Sequence, residues 1–282
     1  MLYLLAATII WSFSFSIIEN YLAGQVDPIL CVCIRTATAF FLFYIINKNK
    51  KIKPSTKLIL TGIGSVQLGL MYIFLYKSFA YLTTKEVLLF TILTPIYITI
   101  ISAIKNKKNN LSALCCAVIA IFGAFCIRKT LINLEYSKAT GFCLVQAANI
   151  CFAFGQVAFK KLTVTTSNKL KAIQWLYFGG FATSLTLYLW QNSTISLPSS
   201  APQWQALFYL GAISSGLGMY LWNKGATSVT TAQLAATNNL LIPCGILIDH
   251  IFWNKDITSY SSLILGAVLI IWSIQIGSKK MA

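Results

Sequence analysis

Ten apolar runs of roughly membrane-crossing length leave this chain few folds. They occupy 2–18, 29–46, 58–81, 84–103, 111–127, 139–159, 171–190, 204–223, 229–252 and 260–277. An α-helix of about 20 residues crosses the ~30 Å of bilayer hydrocarbon. Only helices and closed barrels satisfy every backbone hydrogen bond in that solvent. Apolar residues make up 57% of the chain and charged residues only 10%, against about 25% charged in a soluble domain. The chain is therefore predicted to be an all-α membrane protein, with the lipid bilayer as its first partner.

A formal charge of +16 raises the question of nucleic acid. The basic residues, however, fall in short clusters between the runs rather than on one face, which is how membrane loops distribute charge. With the N-terminus inside, fifteen cations lie in inner loops and five in outer ones, leaving Arg35 and Lys77 within the runs. Both termini are thus predicted to be cytoplasmic. The first run lacks a basic n-region and a small-residue cleavage site, so it reads as a retained helix.

The chain also repeats itself. "LYKSFAYLTTKEVLLFTILTPIY" is echoed by "LWNKGATSVTTAQLAATNNLLIP", with Lys77 against Lys224 and Thr83–Thr84 against Thr230–Thr231 at an offset of 147. Ser65 and Gly69 match Ala212 and Gly216, small-residue pairs that let helices approach closely. Residues 1–130 and 131–282 then form two five-helix halves. Five is odd, so the second half enters the membrane upside down. Inverted repeats build carriers that hold a solute near midplane between the halves.

No catalytic constellation stands out: there is no nucleophile–base pair, no Gly-rich phosphate loop and no HExxH. Eight cysteines lie in apolar runs and His250 is the only histidine, so no metal or other cofactor is expected. Glu19, Asp27, Glu86, Glu135 and Asp256 sit at loops or helix ends, and Asp249 near the outer end of the ninth run. The midplane has no acid, which disfavours a cationic solute.

Intramembrane polar groups are costly and mark sites. Arg35 and Lys77 place positive charge in the outer half of a central cavity, where a carboxylate would be held; the planar fork of Arg35 suits this best. Arg35 paired with Glu19 or Asp249 as an outer clamp, and Lys77 reaching the interface, are the competing readings. Gln67, Asn149, Asn238 and Asn239 fall near midplane, where amides donate and accept. Trp11 lies deep in a run broken by Ser12, Ser14 and Ser16, and Tyr72 and Tyr76 share a helix face beside Lys77. Pro95 and Pro243 sit mid-span in corresponding runs and free backbone carbonyls.

Trp11–Ser12, Arg35, "LYKSFAYLTT" and "ILTPIY", with their weaker second-half copies, make the chain resemble the EamA-type drug/metabolite transporter superfamily over its whole length. That resemblance implies ten helices in inverted halves and solute transport across the bacterial inner membrane. The longer stretches "IIWSFSFSIIENYLAGQVD" and "VQLGLMYIFLYKSFAYLTTKEVLLFTILTPIYITII" are similar to its biotin-importing members. This implies a small-molecule partner, biotin or another small carboxylate. Arg35 or Lys77 would then meet the carboxylate, Asn149 and Asn239 the ureido group, and Trp11, Tyr72 and Phe90 the rings. Export of amino acids or related metabolites is the alternative within the superfamily, and a non-transporting scaffold the alternative outside it. Direction, energy coupling and a homodimer are left open by the sequence.

Overall fold

A computed structural model describes residues 1–46, 52–106, 115, 117–119, 121–123, 136–163, 169–191, 196–257 and 259–278. The chain is built from helices, and no strand occurs among the described residues. Helix α1 covers Leu2–Leu22, α2 Pro28–Ile46 and α3 Pro54–Ser78. Helix α4 runs from Thr84–Phe90 through a 3₁₀ turn, Thr91–Leu93, into Thr94–Asn106. Then come α5 at Tyr136–Thr163 and α6 at Lys169–Trp190. Helix α7 joins Ala201–Phe208, Tyr209–Gly218 and Met219–Ala226. Helix α8 joins Thr231–Asn238 to Leu241–Trp253, and α9 is Tyr260–Ser278. Most of the fifth apolar run, 111–127, lies outside the described residues, as do many of the loop lysines that set the expected orientation.

Among the described residues, seven helices are long and apolar enough to cross a membrane. Helices α6 and α7, predicted to be spans, are not among them. Their sequences have exchanged aliphatic residues for small and polar ones that face other helices: Gly179 and Gly180 in α6, and Gly211, Ser214, Ser215, Gly216 and Gly218 in α7.

The repeat read in the sequence reappears as local structure. Thr83 and Glu86 form a capping box at the start of α4, and Thr230 and Gln233 form one at the start of α8, 147 positions later. Such boxes satisfy orphan N–H groups at a helix start. Each helix then breaks, at Thr91–Leu93 in α4 and at Asn239–Leu240 in α8, before resuming through Pro95 or Pro243. Proline brings no N–H donor, so it fits where the helical ladder is already interrupted. Helices α3 and α7 also match, each carrying a stretch of π-helix, at Ser65–Leu70 and Tyr209–Gly218.

Packing relies on absent side chains at a few places. A Cβ on Gly64 would lie 1.9 Å from the Leu176 carbonyl oxygen, and one on Gly179 would lie 2.0 Å from the Thr61 oxygen. Helices α3 and α6 therefore meet backbone to backbone. Gly155 of α5 likewise receives the Gln67 side chain, and Gly218 of α7 receives the Trp11 indole. The described cysteines are free; Cys31 and Cys33 are buried as expected, whereas Cys115 and Cys143 are exposed on the helix surface.

Candidate functional site

Between the helices lies a cavity with about 660 Å³ of empty space, its open mouth included. Helices α1, α2, α3, α4, α5, α7 and α8 all contribute to the wall, so residues far apart in the chain converge on it.

Among the described residues, Arg35 is the only charged one on that wall. It is 2% exposed. Its Nε donates to Ser215 Oγ at 2.7 Å, and one terminal nitrogen donates to Tyr72 Oη at 3.0 Å and Ser214 Oγ at 2.9 Å. The other donates to Tyr76 Oη at 3.4 Å. The guanidinium carbon lies 3.9 Å from the centre of the Tyr72 ring, a cation–π contact. Every one of these partners is neutral. No carboxylate pairs with Arg35 among the described residues; Glu19 and Asp249, the acids that a clamp would have used, are bridged by Lys255 instead. A guanidinium has five N–H donors, and these four bonds leave one of them for a ligand.

The π-helix of α7 positions this network. Its wider turn shifts the ladder out of α-register, as π-bulges at functional sites do. Trp11 Nε1 donates to the Ser214 carbonyl at 3.0 Å, and Ser14 Oγ donates to Ser214 Oγ at 2.7 Å. Tyr177 Oη donates to the Ser215 carbonyl. Trp11 is further held by Trp222 at 4.9 Å and edge-on by Phe152 at 6.2 Å between centroids. These rings form an apolar floor, since Trp11 and Phe152 both line the cavity.

Across the cavity, at the break in α4, two amides of α5 donate to the Phe90 carbonyl. Gln146 Nε2 and Asn149 Nδ2 each donate to it at 3.0 Å. Asn149 Nδ2 also donates to Gln146 Oε1 at 3.2 Å. A carbonyl only accepts, so the orientation of the Asn149 amide is fixed with its oxygen left over. Thr94, also on the wall, has a buried hydroxyl with no partner among the described residues.

The nine residues singled out in the sequence therefore separate. Trp11, Arg35, Tyr72, Asn149 and Asn238 line the cavity. Tyr76 stands one step behind, on Arg35. Phe90 contributes its main chain, while its ring packs edge-on against Phe142 at 5.0 Å. Asn239 is fully buried off the wall, reaching the Ile92 carbonyl at 3.5 Å. Lys77 is exposed and is not brought to the cavity. Ser214, Ser215 and Thr94 were not anticipated. The signal for the first two was a consecutive serine pair among glycines, "SSGLG", where a lipid-facing helix would carry aliphatic residues.

Helices long and apolar enough to cross a membrane, packed around a cavity, define a polytopic membrane protein. The EamA-like transporter family profile matches residues 1–129 and 139–276. The chain belongs to the EamA-like transporter family and is a transporter, not an enzyme. It is 35% identical over 286 residues to a probable biotin transporter of Pseudomonas aeruginosa, covering 100% of this chain and 99% of the relative. It is 34% identical over 284 residues to the biotin transporter of Escherichia coli, covering 100% and 94%. A solved structure described only as "Crystal structure of protein" shares its fold, with a TM-score of 0.72 at 16% identity over 98% of this chain and 94% of that one.

Proposed function

We propose that this chain is a secondary carrier that imports biotin, or a closely similar small carboxylate, across the bacterial inner membrane. The observation that carries the reading is Arg35: a buried cation on the cavity wall, held only by neutral hydroxyls and a ring face. A charge in such a place is stabilised fully only when an anion joins it. A carboxylate reaching Ser214, Ser215 and Arg35 supplies that charge. The Asn149 oxygen and the Thr94 hydroxyl then suit the N–H and C=O groups of a ureido ring. The Trp11–Phe152 floor suits its apolar face. The names of the full-length relatives favour biotin among carboxylates.

In this reading the chain crosses the membrane ten times as two inverted five-helix halves, with both termini cytoplasmic. The offset-147 repetition of capping boxes, breaks and π-helices supports the duplication, and the loop charge supports the orientation. The halves rock about the cavity to give access from either side.

The test is labelled biotin uptake into a biotin-auxotrophic strain lacking its own importer. Expression of this chain is expected to restore growth and uptake at nanomolar biotin. Absence of uptake, with the protein detected in the membrane, removes biotin as the solute; a thermal-shift screen of other carboxylates then identifies the one that stabilises the chain.

A further inference from the structure

Arg35 is the charged group on the cavity wall, but a fully buried acid, Asp249, lies off it. Asp249 of α8 is 0% exposed, and neither of its carboxylate oxygens has a hydrogen-bond partner among the described residues. Its nearest cation is Lys255 Nζ at 3.7 Å, beyond hydrogen-bond reach. That same ammonium is bonded closely to Glu19 of α1. Helix α8 ends at Asn254, whose positive φ of 51° turns the chain so that Lys255 folds back over Asp249. Asparagine tolerates this left-handed geometry better than most residues.

We propose that Asp249 is a proton-binding site that couples proton entry to movement of the solute. The argument is one of charge. With Asp249 ionised, two carboxylates share the part-exposed Lys255 ammonium, and the three groups together carry one negative charge. With Asp249 protonated, Glu19 and Lys255 form a closed pair and the cluster is neutral. The second state leaves no charge on the fully buried carboxyl and no second claim on Lys255. The Ser16 hydroxyl of α1 and the Lys85 ammonium of α4 also face Asp249. Lys85 is engaged by the Asp256 carbonyl, and His250 is held between the Lys255 carbonyl and the Tyr260 hydroxyl of α9.

Position links this proton to the cavity. Glu19 lies on α1, which also carries Trp11, Ser14 and Ile18 of the wall. Asp249 lies on α8, which carries Asn238 and Leu241 of the wall. Any displacement of α1 against α8 therefore redistributes Lys255 between the two acids. With Lys255 on Glu19, Asp249 takes up a proton; with Lys255 moved onto Asp249, the carboxyl ionises and the proton leaves. A monoanion at Arg35 and one proton at Asp249 cross together without net charge.

This proposal rests on the transport reading above, and the experiment separates the two. The full chain is reconstituted in liposomes with a trapped pH dye. Exchange of labelled for unlabelled biotin with no pH gradient tests transport itself. Accumulation under an inside-alkaline gradient, with biotin-dependent acidification of the lumen, tests coupling. Wild type is expected to do both. Asp249→Asn is expected to keep exchange while losing gradient-driven accumulation and the dye response. Exchange without any response to the gradient in wild type overturns the proton site and leaves the transport reading standing. Accumulation by Asp249→Asn equal to wild type overturns it as well. If Asp249→Asn does not fold, Lys255→Met decides. Removing the ammonium is expected to move the pH profile of accumulation upward, and an unmoved profile overturns the proposal.

Discussion

The indole N–H of Trp11 donates to the Ser214 carbonyl oxygen at 3.0 Å, joining residues 203 positions apart in the chain. Ser14 and Arg35 meet the Ser214 hydroxyl as well. One serine in the π-helix of α7 thus ties α1 and α2 to α7. The contact and the cavity wall are the same structure, so disturbing it acts on both.

Trp11→Phe keeps a ring against Trp222 but removes this donor. A single hydrogen bond contributes about 1 kcal/mol net. The thermal midpoint in detergent is expected to fall by about 2–4 °C, with the biotin-induced stabilisation reduced. An unchanged midpoint would show that the bond contributes nothing.

Arg35→Ala and Arg35→Lys are both expected to lose uptake while the protein still reaches the membrane. A hydrogen bond to a charged group contributes about 1.5–3 kcal/mol, so affinity falls by about 10–100-fold. Lysine cannot reproduce the fork that spans Ser215, Ser214 and Tyr72 at once. Uptake by Arg35→Lys at the wild-type level would assign Arg35 a purely coulombic role.

Lys77→Ala is expected to leave uptake within about twofold, since an exposed ammonium in water contributes little to a site it does not touch. A loss like that of Arg35→Ala would instead put Lys77 on the solute's path in another conformation.

Gly64→Ala and Gly62→Ala form a matched pair. At Gly64 the added carbon meets the Leu176 backbone at 1.9 Å, whereas at Gly62 nothing lies within 4 Å. Overpacking against rigid backbone costs about 3 kcal/mol or more, so little folded Gly64→Ala is expected by size-exclusion chromatography. Gly62→Ala is expected to match or exceed wild type, because alanine is the better helix former by about 1 kcal/mol.

Much of the fold is readable in the sequence because lipid leaves few choices. Run length reports the helices, and the Thr83 and Thr230 caps are visible at their offset of 147. Arg35 is legible as a site residue because a cation inside an apolar run is so costly. The π-helices are not legible: residue order carries no period that announces a wider turn, and without it the serines at 214 and 215 look like packing residues. Phe90 misleads for a similar reason. Its ring suggests an apolar wall, but the break after it makes the carbonyl the functional atom. Lys77 and Arg35 look alike as intramembrane cations until helix rotation turns one outward and the other in.

The backbone contact of α3 with α6 at Gly64 and Gly179 also has a mechanical meaning. Two helices whose main chains touch have no compliant side chains between them, so this contact stays fixed and serves as the pivot about which the proposed halves rock. Displacement that opens the cavity must then occur where side chains separate the elements, as they do along α1 and α8. A cysteine cross-link between α3 and α6 should leave the transport cycle running, whereas one between α1 and α8 should stop it. The cavity wall can therefore vary while the pivot that supports it stays unchanged.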